Sequence, residues 1–132
     1  RRVLFRSAAA DELKNKYGVR VIPVAADIRN QDESGRIVAT AIEHFGRLDV
    51  LVNNDGAPPL GAIDGFDDNA WQKAIEQNLF SVIRMVRSAL PHLRQSGGGS
   101  ILNISAISAI QPIAGFGLSV ASWSGLMGYA KT

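Results

Sequence analysis

Apolar residues along this chain come in two rhythms that alternate. Short continuous runs at 21–26, 50–52 and 100–104 are separated by longer stretches in which apolar side chains recur every three or four residues. The runs read as strands and the stretches as helices. Residues 8–16 look like the end of a helix stopped near Gly18, and the run 21–26 closes on Asp27. Pro23 cannot donate to a ladder, which argues that this first strand lies at an edge. Asn30 or Asp32 can cap a helix carried by Ile37, Val38, Ala41, Ile42 and Phe45, with Gly46 as its stop. A longer helical pattern begins at Asp67 or Asp68 and runs through Trp71, Ile75, Leu79, Val82, Val86, Leu90 and Leu93 to Gly97. Pro91 is expected to bend or break its last turns, because it removes a donor and crowds the carbonyl four residues back. Helical spacing returns from Leu118 to Lys131. Continuous apolar strands joined by helices predict an α/β fold, a Rossmann-like doubly wound parallel sheet covered on both faces.

Composition changes this picture mainly at the start of the chain. The 132 residues, 46% of them hydrophobic, suit one domain with a real core. Arg1 in place of Met, and a helical pattern still running at Thr132, make both ends look cut. Residues 1–7 (Arg-Arg-Val-Leu-Phe-Arg-Ser) resemble the in-frame translation of a sequencing-adapter oligonucleotide, so the native domain is expected over 8–132. Three of the 14 Lys+Arg lie in those seven residues; without them 11 bases face 12 acids, a net charge of −1. The basic pI then gives no reason to expect a nucleic acid or an anionic membrane. With no Cys, neither a disulfide framework nor a thiolate zinc site is available. His44 and His92 lack paired ligand spacing, and no run of 18 apolar residues suggests a membrane span. A cytoplasmic location is the default expectation.

The polar residues that end each strand carry the candidate chemistry. Asn53, Asn54 and Gly56 follow directly on the run 50–52, at the carboxyl edge where open α/β sheets bind ligands. Taken alone they equally suit an ordinary strand-to-loop turn, which favours Asn, Asp and Gly. Asp27 ends the preceding run. Asn78 stands in the middle of the long helix, where an Asn amide competes with the backbone, so it is either a tolerated exposed residue or a deliberate bend around water.

These elements resemble the short-chain dehydrogenases/reductases, NAD(P)-dependent oxidoreductases with an Asn-Asn-Ala-Gly turn and a Ser, Tyr-x-x-x-Lys set for proton transfer. The resemblance covers about residues 8–132, corresponding to strands 3 to 5 of the family sheet, and implies NAD or NADP as cofactor. It assigns cofactor contacts to Asp27, Ile28, Asn53, Asn54 and Gly56, with Asp27 on the adenine. It gives Asn78 a water-holding role in the proton path. Three residues after Asn103 the family has its Ser, and here Ala106 stands; Ser105 is turned to the opposite face. The family Tyr and Lys positions are Ser119 and Trp123. Gly128, nine residues beyond Ser119, keeps the family register. Ser119 is the remaining candidate catalytic group beside Asn78, and Ala106 and Trp123 are not expected to be catalytic.

The pattern looks closest to a divergent group similar to 3-oxoacyl-carrier-protein reductases, through Gly56-Ala57-Pro58-Pro59, Gln111-Pro112-Ile113 and Leu118-Ser119. Asp55 departs from it, replacing a small residue. The loss is chemical: a phenol whose pKa is lowered by an ammonium exchanges a proton near neutral pH, and an unaided Ser hydroxyl does not. The resemblance implies a carbonyl or alcohol substrate and a homodimer or homotetramer assembled through the helices over 67–95 and 118–132. A catalytically silent dinucleotide-binding or oligomer-partner protein is the alternative. The family's Gly-rich phosphate turn and substrate lid are expected outside residues 1–132, and this stretch alone is expected to be unstable.

Overall fold

The computed structural model describes the backbone of residues 2–132 and the side chains from residue 7 onward. Its element order is α1 (Arg2–Tyr17), α2 (Glu33–Phe45), β1 (Val50–Asn53), α3 (Asp68–Ile75), a π-helical turn (Glu76–Phe80), α4 (Ser81–Gln95), β2 (Ser100–Asn103) and α5 (Gly117–Tyr129), with short 3₁₀ turns at Ile63–Gly65 and Ile107–Ala109. Strands β1 and β2 pair in parallel, Val50 opposite Ser100 and Asn53 opposite Asn103. The fold class is therefore α/β, with a parallel sheet and covering helices. Of the helical stretch expected over 8–16, the structure makes part of a longer helix that takes in residues 2–7; Arg1 lies outside the described residues.

Residues 21–26 do not form the expected strand. A strand needs a neighbour to complete its backbone hydrogen bonds, and among the described residues only β1 and β2 pair as strands. The segment is held instead by a side chain: Arg36, on α2, donates from Nη2 to the carbonyl of Ala25 at 2.5 Å.

Helix ends follow local chemistry. Asn30 does not cap α2 directly; its Oδ1 accepts from the Asp32 N–H at 3.1 Å, making the turn that precedes the helix. Gly46 closes α2 in the left-handed region, φ 76°, its N–H donating to Ile42 O at 2.8 Å. Asp67 caps α3, its Oδ1 accepting from Ala70 N at 2.8 Å. Helix α4 passes through Pro91 rather than breaking there. Pro91 is exposed, on the side where a carbonyl can tilt toward water. The stop comes six residues later at Gly97, φ 92°, where Gly98 N donates to Leu93 O and Gly97 N to Arg94 O, the paired bonds of a Schellman ending.

Helices α2 and α4 pack on each other and α4 on β1. The core gathers Val38, Leu51, Val82, Val86, Leu93 and Trp123. Burial alternates along β1: Leu51 and Asn53 point inward, while Val50 and Val52 are 55% and 54% exposed. Leu102 on β2 is also exposed. The sheet is thus covered on one face by the described residues, and the expected second cover is absent among them.

Candidate active site

The carboxyl edge of the sheet is built by register. Because Asn53 and Asn103 are direct partners at the ends of parallel strands, their side chains meet, and Asn53 Nδ2 donates to Asn103 Oδ1 at 2.8 Å. The Ile104 N–H donates to Asn53 O at 2.8 Å, extending the ladder one step past the strands. Beyond this clamp the chain turns outward: Asn54 and Gly56 are exposed and Asp55 is half-buried. Gln77 ties the loop to the helix above it, donating from Nε2 to Gly56 O at 2.9 Å. A Cβ on Gly56 would lie 3.0 Å from that same nitrogen, so a side chain there would press on the Gln77 amide.

Asn78 is fully buried inside the π-turn. The wider turn carries its amide between the loop and α5, the insertion into a helix that an interior Asn favours. Its orientation follows from its partners. With the nitrogen toward the loop, Nδ2 donates to Asp55 Oδ2 and Gly56 O, each at 3.0 Å, and Oδ1 accepts from Ser122 Oγ at 3.3 Å. Ser122 has one proton to give and a second acceptor within reach, Leu118 O at 2.8 Å. Of the two readings of Asn78 the structure takes the bend, and the partners it supplies are protein atoms.

Helix α5 presents Ser119 and Trp123 one turn apart, both buried. Trp123 packs in the core, and it brings an indole N–H where an ammonium would stand in the family pattern. Neither Ser119 Oγ nor Trp123 Nε1 has a hydrogen-bond partner. Ala106 is half-buried and packs against the core, while Ser105 is exposed. Buried polar atoms are nearly always paired, so an unpartnered Ser119 hydroxyl on α5 is an exception.

Asp55 is the perturbed acid of this region, its carboxyl pushed up to about 6 by burial. Its own backbone N–H and the Trp123 indole pull the other way, the indole pointing at it without closing a full hydrogen bond. No other charge contributes to the shift. Sequence reasoning treated Asp55 only as a departure from a pattern and did not single out Ser122 or Gln77.

Asp27 and Ile28 stand on a separate loop. Arg29 takes the Asp27 carboxylate with both arms, Nε to Oδ1 at 2.9 Å and Nη2 to Oδ2 at 2.7 Å. Asp27 and Arg29 line an open cleft of about 780 Å³ with Trp71, Glu76 and Phe80, and none of Asn53, Asn54, Gly56 or Asn78 shares that lining. Arg84 ties two sides of this cleft together, paired with Glu76 and donating to Arg29 O at 3.4 Å. The structure therefore brings Asn53, Asn54, Gly56 and Asn78 together at the sheet edge, sets Ser119 on α5 next to Ser122, which meets Asn78, and leaves Asp27 and Ile28 on a separate loop. The described residues hold no cluster of side chains suited to a metal ion, and none of their helices is long and apolar enough to cross a membrane.

Known proteins are similar to this chain in sequence and fold. Dehydrogenase/reductase SDR family member 4 of Caenorhabditis elegans is 33% identical over 132 residues, covering 93% of this chain and 51% of its own. The peroxisomal 2,4-dienoyl-CoA reductase of Arabidopsis thaliana is 33% identical over 97 residues, covering 67% and 33%. The structure of L-sorbose reductase from Gluconobacter frateurii, complexed with NADPH and L-sorbose, superposes with a TM-score of 0.91 at 32% identity, over 96% of this chain and 48% of that one. The chain spans about half the length of the curated relatives it matches. A family model described as short chain dehydrogenase matches residues 4–132. A parallel α/β sheet with an asparagine-built carboxyl edge, matched over nearly the whole chain by that model and by a reductase fold, places this chain in the short-chain dehydrogenase family of NAD(P)-dependent oxidoreductases.

Proposed function

We propose that this chain is part of an oxidoreductase that passes hydride between a nicotinamide cofactor and a carbonyl or alcohol substrate, in the manner of 3-oxoacyl reductases, with a reduced proton-transfer set. The observation that carries the reading is the meeting of the loop after β1, Asn78 and Ser122 of α5 beside the Asn53–Asn103 clamp. Exposed Asn54 offers the cofactor polar contacts, and exposed Gly56 a close approach. Asn53, locked to Asn103, keeps that loop in place. Asp27 and Ile28 would meet the adenine end, with Arg29 yielding part of its hold on the carboxylate.

When bound, NAD(P)H supplies the hydride, which is the cofactor's own chemistry. Ser119 Oγ, buried without an internal partner, gives a hydrogen bond to the substrate oxygen. That bond polarises the carbonyl but does not replace a phenol and an ammonium, whose acid/base assistance is worth roughly 10²–10⁴ in rate. Asn78 fixes the loop against α5, so the edge is preorganised before substrate arrives. We place the subunit contacts of a dimer or tetramer on the helices over 67–95 and 118–132, and the protein in the cytoplasm.

The core position of Trp123 favours a second reading, a dinucleotide-binding partner without turnover, because it removes the cation from the site. Ketones and 3-oxoacyl thioesters offered with NADPH or NADH separate the two. Turnover that falls at least about tenfold in Ser119→Ala, with cofactor binding kept, supports the oxidoreductase. Cofactor binding with no loss of nicotinamide absorbance on any substrate establishes the silent partner.

A further inference from the structure

We propose that Asp55 holds and releases the proton that accompanies hydride transfer at this edge, taking over the task of the missing Tyr and Lys. The inference rests on the oxidoreductase reading and extends it to a residue that the family pattern fills with a small side chain. Asp55 follows Asn53 and Asn54 by two residues and one, on the loop that leaves β1. Its carboxyl lies 3.0 Å from the Asn78 amide and is faced by the Trp123 indole, one helical turn from Ser119. The groups facing it from the π-turn and α5 are therefore an amide and an indole, both neutral. Lys73 and Glu76 on the same long helix line other clefts, and no charge from any packed element reaches it.

A proton reservoir must be comfortable in both of its states, and the surroundings of Asp55 allow this through one amide. With Asp55 ionised, Asn78 turns its nitrogen to Asp55 Oδ2 and Gly56 O, and Ser122 can donate to Asn78 Oδ1. With Asp55 protonated, the amide turns over: Asp55 donates to Asn78 Oδ1, and Asn78 Nδ2 donates to Ser122 Oγ at 3.3 Å. Ser122 then keeps its 2.8 Å bond to Leu118 O, and Gly56 O keeps its bond from Gln77. Burial supplies the rest, holding the carboxyl at about 6, where it exchanges protons near neutral pH.

In carbonyl reduction the hydride of NAD(P)H forms the new C–H bond as the C=O π bond opens. The Asp55 proton goes to the resulting oxygen, leaving alcohol, NAD(P)⁺ and the Asp55 carboxylate. Solvent restores the proton. In the oxidative direction the carboxylate accepts the alcohol proton as NAD(P)⁺ takes the hydride.

The test uses the full-length protein that carries this chain and compares wild type with Asp55→Asn and Asp55→Glu. Without cofactor, carbon NMR of the Asp carboxyls is expected to show one signal titrating near 6, absent in Asp55→Asn. With NADPH and a 3-oxoacyl thioester, the wild-type kcat is expected to fall about tenfold per pH unit above that midpoint. Asp55→Asn is expected to lose at least about 10²-fold in kcat and the pH break with it, while nicotinamide fluorescence shows NADPH affinity within about twofold. Asp55→Glu is expected to recover part of the rate and the break. An Asp55 signal titrating near 4, or an Asp55→Asn enzyme that keeps the rate and the break, overturns the inference and leaves the oxidoreductase standing. NADPH binding without turnover in wild type overturns the inference and leaves dinucleotide binding. A wild-type protein that binds no NADPH overturns the oxidoreductase reading itself.

Discussion

Replacing Asn78 with Ala removes the one side chain that joins the π-turn, the loop after β1 and α5. Its amide makes two bonds of 3.0 Å to Asp55 Oδ2 and Gly56 O and a longer one to Ser122 Oγ, in a residue with no exposed surface. A bond to a carboxylate is worth about 1.5–3 kcal/mol and a neutral one about 0.5–1.5 kcal/mol. Ala returns at most about 0.7 kcal/mol through its better helix propensity, and Gly56 O keeps Gln77 as a partner. The balance is a loss of about 3 kcal/mol. Urea unfolding of wild type and variant at pH 8, where Asp55 is ionised, should show a lower midpoint with an unchanged slope. Asn78→Asp sharpens the test, since it sets a second carboxylate beside Asp55 and should be worse still at pH 8 and recover on acidification. A loss below about 1 kcal/mol in Asn78→Ala would refute the idea that this amide organises the edge.

Asp55 makes a second stability prediction. Its folded pKa stands near 6 against an ordinary 3.8, so the folded state holds the proton more tightly. Stability on its account is full below about 3.8 and is lost as pH rises toward 6. Discounted for its half-exposed setting, Asp55→Asn should be more stable than wild type by about 1–2 kcal/mol at pH 8 and level with it at pH 3.5; equal curves at both pH values would contradict the burial argument. At the start of β2, a Cβ on Gly99 would lie 2.5 Å from Asp49 O and 2.7 Å from Leu93 Cδ2. Gly99→Ala should therefore cost about 1–3 kcal/mol in thermal or urea unfolding, and a neutral result would show that the strand entry can shift. Asn53→Ala leaves Asn103 Oδ1 without its donor, and a loss of about 1–2 kcal/mol with weaker NADPH binding is expected from unfolding and fluorescence titrations.

Much of the fold was legible because it is written in local chemistry. Gly46 and Gly97 stop their helices as glycines in the left-handed region do, and Asp67 caps α3 with its own carboxylate. The runs beginning at Val50 and Ser100 pair in parallel, each supplying the backbone partners that the other lacks. Residues 21–26 misled for the opposite reason: a strand is defined by its partner, and no pattern within six residues supplies one. Pro91 misled because its cost depends on which side of the helix it occupies, and it lies on the exposed side.

The candidate site divides along the same line. Asn53, Asn54, Gly56 and Asn78 were legible from spacing, since strand ends and a polar residue inside a helix are visible in one dimension. The π-turn around Asn78 was not, because no apolar period encodes it. Asp55 read as a lost small residue, and its meaning depends on burial and on what faces it from α5. Ser122 looked like any helix serine until the π-turn carried Asn78 against it.

The central claim is that the edge built by Asn53, Asn54, Gly56 and Asn78 receives a nicotinamide dinucleotide. Titrating the full-length protein that carries this chain with NADPH while following nicotinamide fluorescence tests it most directly, with Gly56→Val, whose side chain would press on Gln77 Nε2, as the comparison. Saturable binding to wild type, weakened at least about tenfold in Gly56→Val, is the predicted result. Wild-type protein that shows no binding, or a variant that binds equally well, contradicts the account.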